Sequence, residues 1–302
     1  MKNLPPSSFI LLPLKQNSMD WILTPLNYEF MVRGFLASLM VGVLCAVIGC
    51  YVVLRSMAFM GDAMAHAILP GVAIAYLLKG DLLIGALVAA ILVALGIGFL
   101  SRQGTLKEDT AIGILFAGAL SLGVALISTI KTYALDLTHI LFGNVLGVSV
   151  SDLWLTALLG VIVVATIVLL YKEFLVISFD PMLAATMRLP AEFLRNLMLI
   201  LLALTIVVSL QTVGVGLVAA MLVTPGATAF LLTRRLPTMM VIAALIGAFS
   251  SIAGLYVSFY VNVASGAAVV LIATAIFLLA FLFAPQRGVA WNYLRTRQRN
   301  RP

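Results

Sequence analysis

The feature that most constrains how this chain can fold is a series of apolar runs long enough to cross a lipid bilayer. A helical crossing requires about 20 mostly apolar residues, and nine runs of roughly this length recur along the 302 residues. The second and sixth runs are short, so we expect eight or nine crossings. The runs lie at residues 30–54, 63–78, 82–100, 110–130, 153–171, 196–210, 213–233, 238–261 and 266–284.

The composition favours a single all-α domain built inside the membrane. Hydrophobic residues make up 63% of the chain and charged residues only 10%, whereas soluble proteins have about a quarter charged residues. No stretch between the apolar runs is long enough to enclose a separate soluble core. The sequence therefore predicts a polytopic transmembrane helical bundle at residues 29–285, between an N-terminal tail at 1–28 and a basic tail at 286–302.

The distribution of positive charge, rather than the net charge of +7, indicates how the bundle is oriented. Cytoplasmic loops of membrane proteins carry an excess of Lys and Arg. Nine crossings with a cytoplasmic C-terminus put most of the 18 Lys and Arg residues in the cytoplasm, and the basic tail is then an anchor that needs no nucleic-acid partner. The exceptions, predicted to lie outside, are Lys2, Lys15, Arg33, Lys79 and Lys131.

One apolar run contains two ionisable residues, Asp62 and His66, in the sequence Gly-Asp-Ala-Met-Ala-His-Ala. Residues four positions apart lie on the same face of a helix. Placing an ionisable group in hydrocarbon costs about 2.5–3.5 kcal/mol, so we expect a chain that keeps two of them together to use them. A carboxylate and an imidazole form half of a divalent-cation site. The structural alternative is that Asp62 caps the helix at the membrane surface and His66 packs in the bundle.

Two prolines are predicted to disturb helices at membrane depth. Pro70 cannot donate the helical hydrogen bond to the carbonyl of His66, which leaves that oxygen as a third ligand beside the pair. Pro225 withholds a donor in the same way from the residue four positions before it. Such interruptions persist where they line a cavity or are buried in protein. The polar stretch 136–150 is predicted to be an external loop or re-entrant segment, and a structural role is favoured for its His139.

The longest loop on the predicted cytoplasmic side, residues 172–195, contains Phe-Asp-Pro-Met-Leu-Ala-Ala followed by Met-Arg-Leu-Pro. Asp180 can cap a short helix that has Pro181 at its first position, and this helix should end before Pro190. A compact helix between two spans suits docking to a soluble partner. The alternative is a solvated connector lying on the membrane surface.

The motifs and acidic residues that the sequence lacks exclude several classes of function. The sequence has no Gly-x-x-x-x-Gly-Lys-[Ser/Thr] motif for ATP and no His-Glu-x-x-His motif of a zinc protease. Asp62 is the one acid predicted at membrane depth, so the chain has no carboxylate relay of the kind found in proton-coupled pumps. Cys45 and Cys50 both lie in the first run, and we interpret them as small packing residues.

One Asp and one His provide too few ligands for a closed metal cage. Two copies of the chain around a two-fold axis would provide two of each, enough for a transient divalent site. Transport requires weak binding, because a tightly held ion is not released. Oxygen and imidazole donors suit manganese, iron(II) or zinc. The metal is predicted to be a transported substrate, and no permanently bound cofactor is expected.

The residues around the pair resemble a motif of the ABC-3 permeases, the membrane subunits of ABC importers for manganese, zinc and iron. The motif here is Arg55-x-Met57-x-Phe59-x-Gly61-Asp62-x-x-x-His66-Ala67. Asn262 and Ala264 depart from the family pattern, which often has an acid and a proline there, so Asn262 is given no ligand role. The resemblance covers residues 28–284, and the further matching stretches are 107–114, 139–144, 180–190, 213–229 and 258–266.

The resemblance implies a type II importer fold, in which two permeases, identical or related, are joined to a cytoplasmic ATPase dimer. It implies that an extracytoplasmic metal-binding protein delivers the ion and that Asp62 and His66 coordinate it. Residues 107–114 are more like the manganese and iron branch than the zinc branch. The resemblance also identifies residues 180–190 with the helix that couples permease to ATPase, with these expected contact residues: Asp180, Pro181, Ala184 and Arg188.

Together these observations predict the permease subunit of an ATP-driven importer of divalent metal in the lipids of a bacterial plasma membrane, with manganese favoured over zinc and iron(II). Hydrolysis of ATP belongs to the separate ATPase, so the chain itself is not predicted to be an enzyme. A gradient-driven secondary metal transporter is one alternative, and it would need no ATPase. A non-transporting membrane scaffold is the other, and it predicts no metal dependence of any property.

Overall fold

The structure, a computed structural model, describes residues 23–101, 107–129, 145–179 and 181–284. These residues form helices and two short 3-10 turns, at Pro25–Asn27 and Val145–Gly147, and contain no strand, which agrees with the predicted all-α class. The helices, numbered in chain order, are α1 (Glu29–Leu54), α2 (Met60–Ala67), α3 (Leu69–Leu77), α4 (Leu82–Ser101), α5 (Glu108–Ser128), α6 (Val150–Leu169), α7 (Tyr171–Phe179), α8 (Pro181–Thr186), α9 (Ala191–Val213), α10 (Val215–Leu232), α11 (Leu236–Val261) and α12 (Ser265–Phe283).

The helices match the predicted crossings, but the sixth crossing is longer than predicted. Within the described residues, 8 segments are long and apolar enough to span a membrane, namely α1, α2 with α3, α4, α5, α6, α9, α11 and α12. The sequence predicts a short sixth crossing at 196–210, but α9 has 23 residues because it extends beyond that run at both ends, from Ala191 to Val213. The seventh crossing is α10, which has 18 residues, as many as the second crossing, Met60–Leu77.

Helix α1 lies at the centre of the bundle. It packs against α6, α9, α10 and α11, and from Val41 to Val52 nearly every side chain is buried. A helix that is apolar on all sides is expected to be enclosed by other helices or lipid. The first apolar run, which contains no charged residue between Arg33 and Arg55, therefore forms the core around which the other spans are arranged.

Small residues let several helices approach one another closely. A Cβ placed on Gly49 of α1 would lie 1.8 Å from the carbonyl oxygen of Leu222 on α10, so this crossing accepts only glycine. Helices α3 and α4 meet in the same way at Gly71 and Gly85. Such contacts are the usual way of packing helices in membranes, because burial of apolar surface provides little driving force there.

One predicted packing stripe is uncovered in this chain. The sequence places Gly113, Ala117, Ser121 and Ala125 along one face of α5 and predicts that a neighbouring helix packs on them. All four are exposed in the structure. Helix α5 instead contacts α3 through Gly123, where an added Cβ would lie 2.8 Å from the Cβ of Leu69. The predicted packing partner of the stripe is therefore absent from the described part of this chain.

The two prolines have different effects on their helices. The chain breaks between α2 and α3 at Ile68, and Pro70 occupies the first turn of α3, as the sequence predicts. Pro225 lies inside α10, which continues from Val215 to Leu232 without interruption. The helix is therefore not broken at Pro225, although Pro225 has no N–H for the carbonyl four residues before it. Gly226 of α10 packs against the backbone of α1, and this tight contact holds the helix together across the missing hydrogen bond.

Candidate metal pathway and coupling segment

Asp62 and His66 lie together on α2, as their spacing predicts. His66 Nε2 is 3.6 Å from Asp62 Oδ1, and the two side chains are 31% and 56% exposed, respectively. This separation is longer than a direct hydrogen bond, so the groups face each other without being bonded. Both are accessible from outside the single chain and can bind a further group.

The position of α2 explains why the pair faces outward. Met60, Ala63, Met64 and Ala67 are buried and anchor the helix in the bundle, which leaves the opposite face for the ionisable residues. The segment Met60–Leu77 has 18 residues, or roughly 27 Å at 1.5 Å per residue, close to the hydrocarbon thickness of about 30 Å. The pair occupies the first half of this span.

An aromatic side chain from α5 contacts the imidazole. The ring centroids of His66 and Phe116 are 6.1 Å apart, and the ring planes are tilted by 54°. Phe116 is half-buried and packs against the main core cluster. It therefore restricts the positions that the His66 ring can adopt. The sequence contains no local signal for this contact, because α5 begins more than 40 residues after His66.

The helix is interrupted next to the pair, as the sequence predicts. Pro70 was expected to leave the carbonyl of His66 free as a ligand. In the structure α2 ends at Ala67, and the N–H of the next residue, Ile68, is directed at that carbonyl. A donor only two residues along the chain does not form a normal hydrogen bond with this oxygen, so its role as a third ligand stays a prediction beside the exposed side chains of Asp62 and His66.

Asp62 and His66 do not form a complete metal site with other side chains in the described part of the chain. Among the described residues, no group of three or more His, Cys, Asp or Glu side chains is arranged to hold a metal ion. Cys45 and Cys50 are buried and unpaired, with Cys45 Sγ 3.5 Å from Ser209 Oγ, which fits their interpretation as packing residues. Any further ligands for an ion at Asp62 and His66 must come from outside this set.

A partly buried ion pair lies at the end of the bundle from which α2 starts. Arg55, the C-cap residue of α1, donates from Nη2 to Oε1 of Glu108 over 2.6 Å. Burial lowers the pKa of the Arg55 guanidinium, and the charge of Glu108 opposes this effect. Arg195 of α9 donates from its own Nη2 to the carbonyl of Gly98 over 2.8 Å. Sequence reasoning did not single out Glu108 or this pairing.

The predicted coupling segment forms two short helices, α7 and α8. Helix α8 covers Pro181–Thr186, so it ends before Pro190 as predicted. Ala184 is fully buried, while Arg188 is exposed and has a left-handed backbone with a φ of 57°. The N–H of Leu189 donates to the carbonyl of Ala184 and closes this turn. Asp180 and His139 lie outside the described residues.

Helix α7 attaches the coupling segment to the bundle core. Phe174 of α7 and Tyr51 of α1 are both fully buried, and their rings meet edge to face with centroids 5.9 Å apart. On the other side of the segment, Phe179, Leu183 and Met187 are exposed. Among the described residues, the segment therefore has apolar side chains packed in the core and other apolar side chains that are exposed.

Comparison with known families identifies the kind of protein. The sequence pattern of the ABC 3 transport family matches residues 27–284, nearly the whole helical bundle. This chain belongs to the ABC 3 transport family. The resemblance found in the sequence is thus confirmed, and the chain is a multi-pass bacterial membrane permease of an ABC transporter. Since ATP hydrolysis in such systems belongs to a separate subunit, the prediction that this chain is not an enzyme is also confirmed.

Individual relatives cover the chain almost completely. It is 50% identical over 270 residues to the manganese transport system membrane protein MntC of Listeria monocytogenes, covering 89% of this chain and 96% of that protein. It is 42% identical over 268 residues to the probable iron transport system membrane protein of Haemophilus influenzae, covering 89% and 98%. The solved structure of PsaBC from Streptococcus pneumoniae in complex with Fab matches with a TM-score of 0.80 and 38% identity, covering 92% of this chain and 99% of that one.

Proposed function

We propose that this permease imports manganese and that Asp62 and His66 contact the ion as it crosses the membrane. The observation that carries the proposal is the exposed, ionisable pair in the membrane-spanning segment Met60–Leu77. A carboxylate left in hydrocarbon costs about 2.5–3.5 kcal/mol. The exposed face of α2 is therefore expected to border a water-containing passage rather than lipid.

A second copy of the permease, or a related chain, would complete this passage. The uncovered stripe of Gly113, Ala117, Ser121 and Ala125 lies on α5, the helix whose Phe116 contacts His66. Exposed small residues of this kind suit close contact with another membrane helix. A two-fold axis beside this face would bring two carboxylates and two imidazoles together, enough to bind a divalent ion transiently.

The proposed energy source is a cytoplasmic ATPase dimer that docks on the coupling segment. Helix α8, the buried Ala184 and the exposed Arg188 form a compact turn, and the Met187 side chain within it is exposed. With a cytoplasmic C-terminus, this segment faces the cytoplasm, where an ATPase is available. An extracytoplasmic metal-binding protein would deliver the ion to the opposite end. The contact residues on α8 are proposed to be Pro181, Ala184 and Arg188, together with the preceding Asp180.

Manganese is favoured by the relatives and by the ligand chemistry. A relative 50% identical to this chain is named for manganese transport, and carboxylate with imidazole suits Mn²⁺. Iron(II) is the second candidate, because a relative 42% identical is named for iron transport. Zinc binds to the same donors, so a transport assay with competing metals is needed to distinguish manganese, iron(II) and zinc.

The direct test is uptake of labelled manganese by cells that express this chain with an ATPase and a metal-binding protein. We expect uptake that requires the ATPase and persists in excess zinc. Uptake abolished by modest zinc would contradict the manganese assignment and move the substrate to zinc or to a broad-range site. Uptake that continues without the ATPase, driven by a gradient alone, would contradict the ATP-driven mechanism itself.

A further inference from the structure

The ion pair between Arg55 and Glu108 joins two helices that are far apart in sequence. Its side chains are only 11% and 23% exposed, whereas the other Arg–Glu pair on α1, Arg33 with Glu29, lies at the surface and within one helix. Removing two charges from water carries a large desolvation penalty, so a buried pair is weak evidence for stability alone. A role in positioning α2 and α5 explains better why the ion pair is present.

On one side, the pair fixes the start of the helix that carries the metal residues. The N–H of Arg55 donates to the carbonyl of Tyr51, and the chain then turns through Ser56, which has a left-handed φ of 59°. Met57 donates back to Val52 over 3.0 Å and closes the turn. This tight turn leads into α2, so a movement of Arg55 is passed to Asp62 over a short, hydrogen-bonded connection.

On the other side, the pair fixes the helix that supports His66. Glu108 is the first residue of α5, and two turns later on the same helix Phe116 contacts the imidazole. A helix is stiff over this distance, because successive turns are joined by backbone hydrogen bonds. The two partners of the ion pair thus belong to α1, which leads into the helix of Asp62 and His66, and to α5, which contacts His66.

The same end of α1 also contacts the coupling segment. Tyr51, one turn before Arg55, packs edge to face on Phe174 of α7, and α7 leads to α8 over a single residue. Buried aromatic pairs contribute about 0.5–1.5 kcal/mol beyond their buried area, so this contact is a firm attachment. Contacts are therefore continuous from α8, through α7 and the end of α1, to the metal residues.

We propose that Arg55 and Glu108 are positioning residues that transmit movement of the coupling segment to Asp62 and His66. The inference rests on the proposed function, because it needs an ATPase that moves α8. When α8 and α7 shift, Tyr51 and Arg55 at the end of α1 move with them, and the turn after Arg55 moves α2. The ion pair between Arg55 and Glu108 makes α5 move together with α2. The two metal residues and Phe116 then change position together, which allows the ion to be bound and released at the appropriate stages.

The test uses the complete transporter in liposomes, comprising this permease, its ATPase and its metal-binding protein, with manganese as the probe. The variants are Arg55→Glu, Glu108→Arg and the charge-swapped double variant. Manganese uptake and ATP hydrolysis are measured on the same vesicles, which gives the number of ions moved per ATP. The matched control is the swap of the exposed pair on α1, Arg33→Glu with Glu29→Arg.

We expect each single variant to hydrolyse ATP but to move about tenfold fewer ions per ATP, within the 5–150-fold range typical of coupling between sites. The double variant should recover to within about threefold of the unmodified protein, because it restores the opposite charges, and the exposed control swap should have no effect. A wild-type complex that moves no manganese would refute the proposed function. Normal transport by the single variants would refute only the present inference.

Two further outcomes distinguish a positioning role of Arg55 and Glu108 from a purely structural role. If the double variant assembles normally but remains uncoupled, the paired charges do not transmit movement and the inference is overturned. If the charge reversals do not assemble, the milder variants Arg55→Lys and Glu108→Gln are measured in the same way. Loss of assembly in these as well, or assembly with an unchanged number of ions per ATP, would overturn the inference.

Discussion

At the residue scale, the geometry of Asp62 and His66 is unlike that of an ion pair kept for stability. The charges of Arg55 and Glu108, by contrast, are hydrogen-bonded to each other and mostly shielded from water. Asp62 and His66 are 3.6 Å apart, and Asp62 is more than half exposed. Their arrangement leaves oxygen and nitrogen donors available to a third group, which is what a transient cation site requires.

Phe116 provides a test of how the imidazole is held. Replacing Phe116 with Leu removes the ring that contacts His66. Because an aromatic contact contributes about 0.5–1.5 kcal/mol, we expect the apparent KM for manganese to rise roughly 2- to 10-fold with a smaller change in kcat. Transport kinetics in liposomes measure both. The control is Phe99→Leu on α4, where the side chain is exposed, and an equal rise in both variants would contradict this role.

Gly49 provides a test of the central packing. An added methyl group would lie 1.8 Å from the Leu222 carbonyl oxygen, and overpacking of this kind typically costs 1–3 kcal/mol. Gly49→Ala should therefore lower the Tm of the purified permease by several degrees. Gly216→Ala serves as the control, since nothing lies within 4 Å of that position. Equal Tm values for the two variants would show that α1 and α10 are not closely packed.

Residue-level prediction succeeds where the relation between residues is local. The spacing of Asp62 and His66 places them on one helical face whatever the rest of the fold, so the sequence predicts that pair correctly. Arg55 and Glu108 are 53 positions apart, and no periodicity relates them. Their contact depends on how α1 and α5 pack, and the sequence of either helix does not determine that arrangement.

At the scale of elements, proline shows how tertiary contacts decide the result. Both Pro70 and Pro225 remove a helical donor, yet the chain breaks near Pro70 and continues through Pro225. The difference lies in the surroundings, because α10 is held against α1 at Gly49 and Gly226. The sequence identifies where a helix is weakened, and packing determines whether it separates there.

The start of α6 offers a test at this scale. Ser149 Oγ accepts from the backbone N–H of Asp152, and the Asp152 carboxylate accepts from the N–H of Ser149, which forms a capping box. Loss of such a cap costs about 0.5–2 kcal/mol, so Ser149→Ala should measurably lower the Tm. Thr166→Ala removes a hydroxyl that bonds within the same helix, to Ile162. If Thr166→Ala lowers the Tm as much as Ser149→Ala does, the cap makes no specific contribution to the stability of α6.

At the scale of the whole molecule, hydropathy and charge predict most of the architecture. The bilayer requires long apolar helices, so their number and approximate limits follow from the sequence. The same reasoning predicts packing at the small-residue stripe of α5, which is exposed in a single chain. Another helix can pack on that face only in an assembly, and the sequence of one chain does not specify which helix it is.

The orientation of the bundle can be tested with engineered cysteines. Cys45 and Cys50 are buried and can be replaced by alanine to give an unreactive background. We expect Lys79→Cys to react with a membrane-impermeant maleimide in intact cells, and Arg235→Cys to react only after the membrane is opened. Both positions are exposed, so access differs only by side. The reverse pattern would contradict a cytoplasmic C-terminus.

The most direct test of the central claim is ATP-driven manganese transport by the Asp62→Asn variant in liposomes that also contain the ATPase and the metal-binding protein. Asparagine keeps the size of the side chain but removes the charge that attracts the ion. Glu29→Gln, which removes an exposed carboxylate at the start of α1, is the matched control. We predict at least about a tenfold loss of transport for Asp62→Asn, or roughly 1.4 kcal/mol, with the control unchanged. Undiminished transport by a correctly assembled Asp62→Asn complex would show that the ion does not pass this site.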